Sequence, residues 1–136
     1  MIVPDSSVLV AALAEWHPAH EASRAALKQD ERALIAHAAV EVTSVLSRMP
    51  EPLRVTPSVV LDGLNRDYPS PWLALSGPDQ QAFLRRAVDA ELRGGALYDA
   101  LIAATAREHG ATLLSADRRA RDAYEAIGVD VAFIDS

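Results

Sequence analysis

The sequence of Gly94–Arg119, GGALYDALIAATAREHGATLLSADRR, combines a glycine-rich turn, a helix, a short break and a strand that leads to an aspartate. Residues 100–106 are small or apolar on every side, which is typical of a helix that is buried all round. The strand over residues 112–114 is equally apolar. Asp99 is expected in the first turn of the helix, where the helix dipole favours a carboxylate. Asp117 follows the strand, at the edge where open α/β sheets bind ligands.

The segment Met1–Pro4 is short, apolar and β-prone, and it is expected to form a central strand of the sheet. Asp5 follows it directly, and a helix with Ser6 or Ser7 as its expected N-terminal cap comes next. A single acid in such a place can be a simple cap or turn residue. Asp5 nevertheless repeats the placement of Asp117, which favours a shared role for the two acids.

A second short strand is predicted over residues 33–36, and a helix over residues 39–48 follows it. His37 is expected at the end of this strand, with a supporting role beside the acids as a second possibility. Glu41 is expected in the first turn of the helix. Because strand-to-helix junctions of a parallel sheet share one edge, four acids should converge there. These acids are Asp5, Glu41, Asp99 and Asp117.

The rest of the chain continues the alternation of strands and helices, which predicts a three-layer α/β/α sandwich with a mainly parallel sheet of four or five strands. A third strand is predicted over residues 72–75 and a last one over residues 129–134. Helices are predicted from near Pro18 to Asp30 and over residues 56–67, 78–92 and 119–127. The two helices between residues 39 and 68 carry more apolar residues than one small sheet needs, so they are a candidate homodimer surface.

Composition limits the classes of function. The 136 residues are expected to form a single domain, residues 1–136. The absence of cysteine excludes disulfides, thiolate metal sites and cysteine nucleophiles. Lys28 is the only lysine, and the common glycine-rich nucleotide loops are absent. No apolar run is long enough to span a bilayer and no signal peptide is visible, so a cytoplasmic location is expected.

The formal net charge of −6 argues against a generic nucleic-acid coat protein. Four converging carboxylates without nearby bases would repel one another, and some would have to stay protonated. Mg²⁺ or Mn²⁺ would relieve this repulsion, since these ions prefer oxygen ligands and need only a few carboxylates. Two such ions would bring the formal charge to roughly −2. This type of site activates a water and neutralises a phosphodiester during in-line attack.

Four segments of the sequence resemble the PIN-domain family, and specifically the VapC-type ribonuclease toxins of toxin–antitoxin pairs. They are Asp5-Ser6-Ser7 after the first strand, the helix with Glu41 that ends in VLSRMP, the YDALIAATA run of 98–106 and the ATLLSAD run of 111–117. The YDALIAATA run is the most specific of them. The resemblance extends through nearly the whole chain, and it implies a PIN-like nuclease domain.

The resemblance implies that Asp5, Glu41, Asp99 and Asp117 bind the metal and act in catalysis on RNA. It also implies a homodimer and a small antitoxin protein that places a basic side chain in the acidic pocket. The family's small hydroxyl residue after the first acid corresponds to Ser6 or Ser7. Many members carry another acid two places after the fourth, where this chain has Arg119. This departure leaves open whether one ion or two are used, and Arg118 and Arg119 become candidates for contacting RNA phosphates.

Two alternatives remain at the level of sequence. A receiver-like or phosphatase domain also places acids at strand ends, but such domains usually need a lysine near the phosphoryl group, and Lys28 lies in an outer helix. A catalytically inert PIN-like binding module is the other alternative. Metal-dependent RNA cleavage would distinguish both from a nuclease.

Overall fold

Three parallel strands form the regular part of the sheet: β1 (Ile2–Pro4), β2 (Thr112–Ser115) and β3 (Val131–Phe133), in the order β1-β2-β3. The computed structural model describes residues 1–28 and 31–135 of the chain. The strands are in parallel register, so that Val3 lies opposite Leu113 and Leu113 opposite Val131. The carboxyl ends of all three strands therefore meet at one edge of the sheet.

The second and third predicted strands are present only as single parallel bridges, Ile2 with Arg32 and Ile35 with Leu73. The amide of Ala33 donates to the carbonyl of Ile2 at 3.0 Å, so the sheet continues on the free side of β1. With these bridges the sheet has five parallel segments and β1 lies in the middle. The prediction of a mainly parallel sheet with a central first strand is confirmed, although two of its strands are shorter than expected.

In the described residues, seven α-helices surround the sheet, and a short 3₁₀ helix (Arg118–Ala120) precedes the last of them. The helices are α1 (Ser6–Leu13), α2 (His20–Leu27), α3 (Ala36–Ser47), α4 (Pro57–Asp67), α5 (Gly77–Asp89), α6 (Gly95–Glu108) and α7 (Arg121–Ile127). The predicted end of the second helix at Asp30 lies outside the described residues. Within the described part of the chain, no helix is long and apolar enough to cross a membrane.

Helices cover both faces of the sheet. Leu113 belongs to the main core, which collects residues from α3, α4, α6 and α7. Its neighbour Leu114 belongs to a smaller cluster with Val8, Ala12 and Leu27 of α1 and α2. Successive side chains of a strand point to opposite faces, so the two clusters lie on opposite sides of β2. The predicted three-layer α/β/α arrangement is confirmed.

Helix α6 is buried as the sequence predicts. Every residue from Ala100 to Ala106 is buried or half-buried. The small alanine side chains allow neighbouring elements to approach closely, and Ile102 fills the core with no exposed surface. The hydroxyl of Thr105, which is also buried, donates to the carbonyl of Leu101 at 2.8 Å. A helix fixed on all sides provides a rigid support for the acid near its start.

Two helices begin earlier than predicted. Helix α3 begins at Ala36, so His37 lies in its first turn rather than at a strand end, and Glu41 lies in the second turn. The alanine-rich start favours helix over strand, because alanine has the highest helix propensity. Helix α6 begins at Gly95, after Gly94 with a φ of 59°, and Asp99 also falls in the second turn. The expected first-turn placements of Glu41 and Asp99 are therefore wrong.

Candidate active site

The carboxylate of Asp5 is held on both of its oxygens. Asp5 directly follows β1, is only 2% exposed and is itself the N-terminal cap of α1, so the predicted serine cap is wrong. Its Oδ1 accepts from the amide of Val8 at 3.1 Å and from the hydroxyl of Ser7 at 2.5 Å. Its Oδ2 accepts from the phenol of Tyr124 at 2.6 Å. These donors fix the orientation of the carboxylate within the core.

Ser7, in the first turn of α1, connects Asp5 to the loop that follows β2. Its hydroxyl donates to Asp5 and accepts from the amide of Ala116 at 2.9 Å, so one oxygen links the start of α1 to that loop. Of the two serines predicted beside the first acid, it is Ser7 rather than Ser6 that contacts it. The link places Asp5 close to the loop that carries Asp117.

Asp117 lies just past β2 and caps the 3₁₀ helix. Its Oδ1 accepts from the amide of Arg119 at 3.1 Å. The guanidinium of Arg119 also binds both carboxylate oxygens, with Nε at 3.0 Å from Oδ1 and Nη2 at 3.1 Å from Oδ2. The side chain of Arg119 is 91% exposed, so this cation stands at the rim of the site.

The other predicted arginine is engaged elsewhere. Arg118 forms an ion pair with Asp135 at 2.9 Å and lies over the ring of Phe133. The two arginines that the sequence proposed as RNA contacts therefore differ in their partners: Arg119 contacts an acid of the site, whereas Arg118 contacts Asp135.

Glu41 faces His37 one helical turn earlier on α3. The Nε2 of His37 lies 3.3 Å from the Oε1 of Glu41. The contact lacks hydrogen-bond geometry, and within residues 1–28 and 31–135 both buried atoms have no hydrogen-bond partner. Burial lowers the pKa of His37, which favours the neutral imidazole. The ring of His37 stacks on that of Tyr98, with centroids 5.3 Å apart.

Burial and the charges of neighbouring acids raise the pKa values of Asp99 and Glu41. Burial, followed by the charges of Glu41, Asp117 and Asp5, raises the pKa of Asp99 to about 6, and Arg119 partly opposes this shift. Burial and the charge of Asp5 also raise the pKa of Glu41. Burial raises the pKa of Asp5 although its hydrogen bonds favour the charged form. Asp99 is therefore influenced by the charges of all three other acids that the sequence selected.

The donor set suits a hard divalent cation, although the carboxylates are not arranged as ligands. In the described part of the chain, no group of three or more His, Cys, Asp or Glu side chains is placed so that it could hold a metal ion. Asp117 is instead turned to Arg119. A bound cation would nevertheless give the buried, unpartnered Oε1 of Glu41 a partner. It would also reduce the repulsion between Asp99 and its neighbouring acids. The residues present therefore fit such an ion.

Sequence reasoning missed Tyr124. It lies on α7, and its spacing from Ala120, Ala123 and Ile127 is typical of an ordinary core residue, since all four are buried. Burial and the charge of Asp5 raise the pKa of this phenol, so it keeps its proton and donates. The two partners are separated by 119 positions in the chain, and no local pattern could have indicated their contact.

The raised pKa of Asp99 predicts how stability depends on pH without metal. An acid whose pKa is higher in the folded state stabilises the fold most below its unfolded pKa, and this contribution is lost as pH rises through the folded value. The parent should therefore lose stability relative to Asp99→Asn between about pH 4 and pH 6. The difference should be on the order of 1 kcal/mol, because partial exposure screens the charge. Urea melts of both proteins in EDTA measure it, and equal stabilities at all pH values would contradict it.

Three solved structures share the fold. FitAcB from Neisseria gonorrhoeae matches with a TM-score of 0.70 and 21% identity, covering 96% of each chain. FitAB bound to an IR36 DNA fragment matches with 0.72 and 20%, covering 98% of this chain and 94% of that one. VapBC2 from Rickettsia felis, bound to a DNA fragment from their promoter, matches with 0.69 and 16%, covering 99% and 100%. At these identities the likeness shows the fold alone.

Closer relatives exist among characterised sequences. Ribonuclease VapC40 of Mycobacterium tuberculosis is 44% identical over 134 residues, which cover 98% of this chain and 99% of that protein. Ribonuclease VapC27 of the same organism is 42% identical over 127 residues, covering 93% and 92%. The model of the PIN domain matches residues 2–126. The chain belongs to the PIN-domain family, and within that family to the VapC proteins.

Proposed function

We propose that this protein is an endoribonuclease that hydrolyses RNA phosphodiester bonds with Mg²⁺ or Mn²⁺, and that it is the toxin of a toxin–antitoxin pair. The observation that carries the proposal is the placement of Asp5 and Asp117 just past the carboxyl ends of β1 and β2 of a PIN-domain sheet, with Asp99 repelled by the charges of Glu41, Asp117 and Asp5. The 44% identity to a ribonuclease supports RNA as the substrate. This substrate implies a cytoplasmic location. RNA cleavage by the purified protein, with Mg²⁺ or Mn²⁺ and with EDTA, tests the proposal.

Asp5, Glu41, Asp99 and Asp117 are the residues that would hold the divalent ion. When bound there, the ion would neutralise charge on the phosphate and lower the pKa of a water. Tyr124 and Ser7 hold the Asp5 carboxylate in one orientation, which limits the rearrangement needed when a ligand binds. Asp99 binds a proton more readily than an ordinary aspartate, and it would release that proton as the cation arrives.

Arg119 is the better of the two arginine candidates for contacting RNA. Its guanidinium is exposed beside Asp117, whereas Arg118 is paired with Asp135. Guanidinium groups have five N–H donors, and two of those of Arg119 contact the Asp117 carboxylate. The remaining donors could bind a phosphate oxygen that approaches the acids.

A small antitoxin protein is the proposed partner. In this acidic pocket the charges of Glu41, Asp117 and Asp5 repel that of Asp99. An arginine or lysine side chain of the partner would reduce this repulsion by replacing the charge of the metal. The 44% and 42% identity to VapC ribonucleases, which the sequence resembles as toxins of toxin–antitoxin pairs, supports a partner of this kind. The product of a neighbouring small reading frame should co-purify with this chain and should inhibit its cleavage of RNA.

We also propose a homodimer that forms through α3 and α4. Between these helices lies an apolar groove of about 460 Å³, and its lining includes Val40, Leu61 and Trp72. Val40 is 66% exposed and Leu61 is 45% exposed, which is unusual for large apolar side chains unless another surface covers them. Light scattering at micromolar concentration should report a dimer, and Leu61→Glu should convert it to a monomer. A monomeric parent would contradict the proposal.

An inert PIN-like module remains the second candidate, and a failure to cleave any RNA with either metal would favour it. The receiver-like or phosphatase interpretation is incompatible with the family to which the chain belongs.

A further inference from the structure

An open cleft adjoins Glu41 on the outer side of the acid site. Its volume is about 410 Å³, within the range of small-molecule pockets. The side chains that line it combine two aromatic rings, two small apolar groups, an acid, a hydroxyl and a guanidinium. These residues are His37, Val40, Glu41, Ser44, Val45, Arg48 and Tyr98. Val40 and Ser44 also line the groove assigned to the homodimer, whereas His37, Glu41, Arg48 and Tyr98 do not.

An aromatic pair, His37 and Tyr98, lines part of the cleft. The rings of His37 and Tyr98 are stacked almost in parallel, with an interplanar angle of 4°. Tyr98 directly precedes Asp99 in the chain, and His37 is one turn before Glu41 on α3. Tyr98 remains 57% exposed although one of its faces lies against His37. An exposed ring held in place by another ring is a suitable surface on which a base can stack.

The guanidinium of Arg48 also lines the cleft. Arg48 follows the last residue of α3, and its Nη1 donates to the hydroxyl of Ser44 at 3.0 Å. Arg48 lies seven residues after Glu41, which corresponds to roughly 10 Å along the helix axis. The cleft therefore extends from the acids to a positive charge about two helical turns away.

We propose that this cleft binds a nucleotide of single-stranded RNA that flanks the bond to be cleaved, with its base stacked on Tyr98 and a phosphate bound by Arg48. This inference rests on the proposed ribonuclease function and adds the residues that would bind the nucleotide beside the acids. Bases inside an A-form duplex are stacked on one another, so only an unpaired base can lie against Tyr98. Glu41 lines the cleft and is one of the four acids of the proposed site, and Tyr98 of the lining directly precedes Asp99, so a strand bound in the cleft would lie beside two of the acids.

Binding can be measured without cleavage in an Asp99→Asn background. Fluorescence anisotropy would follow a short, labelled, unstructured RNA and a duplex of the same sequence in Mg²⁺. The single strand should bind more tightly than the duplex. Adding Tyr98→Ala should weaken single-strand binding by about 10-fold, while Tyr98→Phe should retain it, because the ring and not the hydroxyl forms the stack.

The arginine can be tested separately through the dependence of binding on salt. Arg48→Gln removes one phosphate contact, so the slope of log affinity against log salt should decrease by about 0.7. Tyr98→Ala should leave that slope unchanged. The matched controls are Trp16→Ala, an aromatic residue that is 45% exposed elsewhere, and Arg85→Gln on α5. Both controls should bind RNA like the background protein.

A direct readout comes from Tyr98→Trp. RNA should quench the tryptophan fluorescence of this variant more than that of the background protein, which contains only Trp16 and Trp72.

Unchanged affinity in Tyr98→Ala, or equal binding of duplex and single strand, would overturn the cleft proposal while RNA cleavage by the parent still supported the nuclease. If the background protein bound no RNA and the parent cleaved none, both proposals would be wrong. Loss of antitoxin binding but not of RNA binding in Tyr98→Ala would assign the cleft to a protein partner instead.

Discussion

Asp99→Asn is expected to fold normally and to lose RNA cleavage by at least on the order of 100-fold, as expected when a charged group of a metal site is removed. Asp99 lies on the buried helix α6, and its carboxylate interacts with those of the other three acids. Asparagine has nearly the same shape, so the packing of α6 should be unaffected. The change removes one negative charge, which weakens both cation binding and the support of a charged transition state.

The matched control for this variant is Asp130→Asn. Asp130 is exposed and precedes β3, at the edge of the sheet opposite the acids. It should cleave RNA at the rate of the parent under identical metal concentrations. If Asp99→Asn cleaved as fast as Asp130→Asn, the carboxylate mechanism would be wrong.

Mn²⁺ is expected to stabilise the parent strongly, because a ligand that binds only the folded state shifts unfolding by mass action. At a concentration of 100 times its Kd, the ion should contribute about 2.7 kcal/mol. For a chain of 136 residues this corresponds to a rise in Tm of several degrees. The physical reason is the repulsion among carboxylates that the fold holds near one another. Thermal melts with EDTA and with increasing Mn²⁺ measure the effect.

The same melts on Asp99→Asn separate metal binding from general salt effects. This variant should lose most of the Mn²⁺-induced rise, and in EDTA at neutral pH it should melt above the parent because repulsion is relieved. Asp130→Asn should respond to Mn²⁺ like the parent. An equal rise of Tm in the parent and in Asp99→Asn would show that the ion binds elsewhere.

The positions of Asp5 and Asp117 at strand ends could be predicted because the sequence pattern that indicates them lies within a few residues of each acid. Asp5 and Asp117 each follow a short apolar strand, and strands of this kind build a parallel sheet with all carboxyl ends at one edge. The buried character of α6 was equally visible, since its small and apolar residues leave no polar face. Patterns within a few residues of the chain therefore sufficed to place Asp5 and Asp117 just past the ends of β1 and β2, whereas the role of the four acids stays a prediction.

The features that the sequence predicted wrongly or missed depend on contacts between distant parts of the chain or on where strands and helices begin and end. Helix α3 begins before Glu41 by more than one turn, because the strand that precedes it is reduced to one bridge at Ile35. The phenol of Tyr124 reaches Asp5 across the core, and the sequence shows no relation between the two. The bidentate contact of Arg119 with Asp117 depends on the conformation of the turn after β2.

RNA cleavage by the purified protein in EDTA, followed by re-addition of Mg²⁺ or Mn²⁺, tests the central claim most directly. The proposed site consists of Asp5, Glu41, Asp99 and Asp117, so cleavage should be absent in EDTA and should return with either ion. A preparation of Asp99→Asn made in the same way should stay inactive throughout, which excludes a contaminating ribonuclease. Cleavage that persists in EDTA, or that is equal in the parent and in Asp99→Asn, would contradict the account.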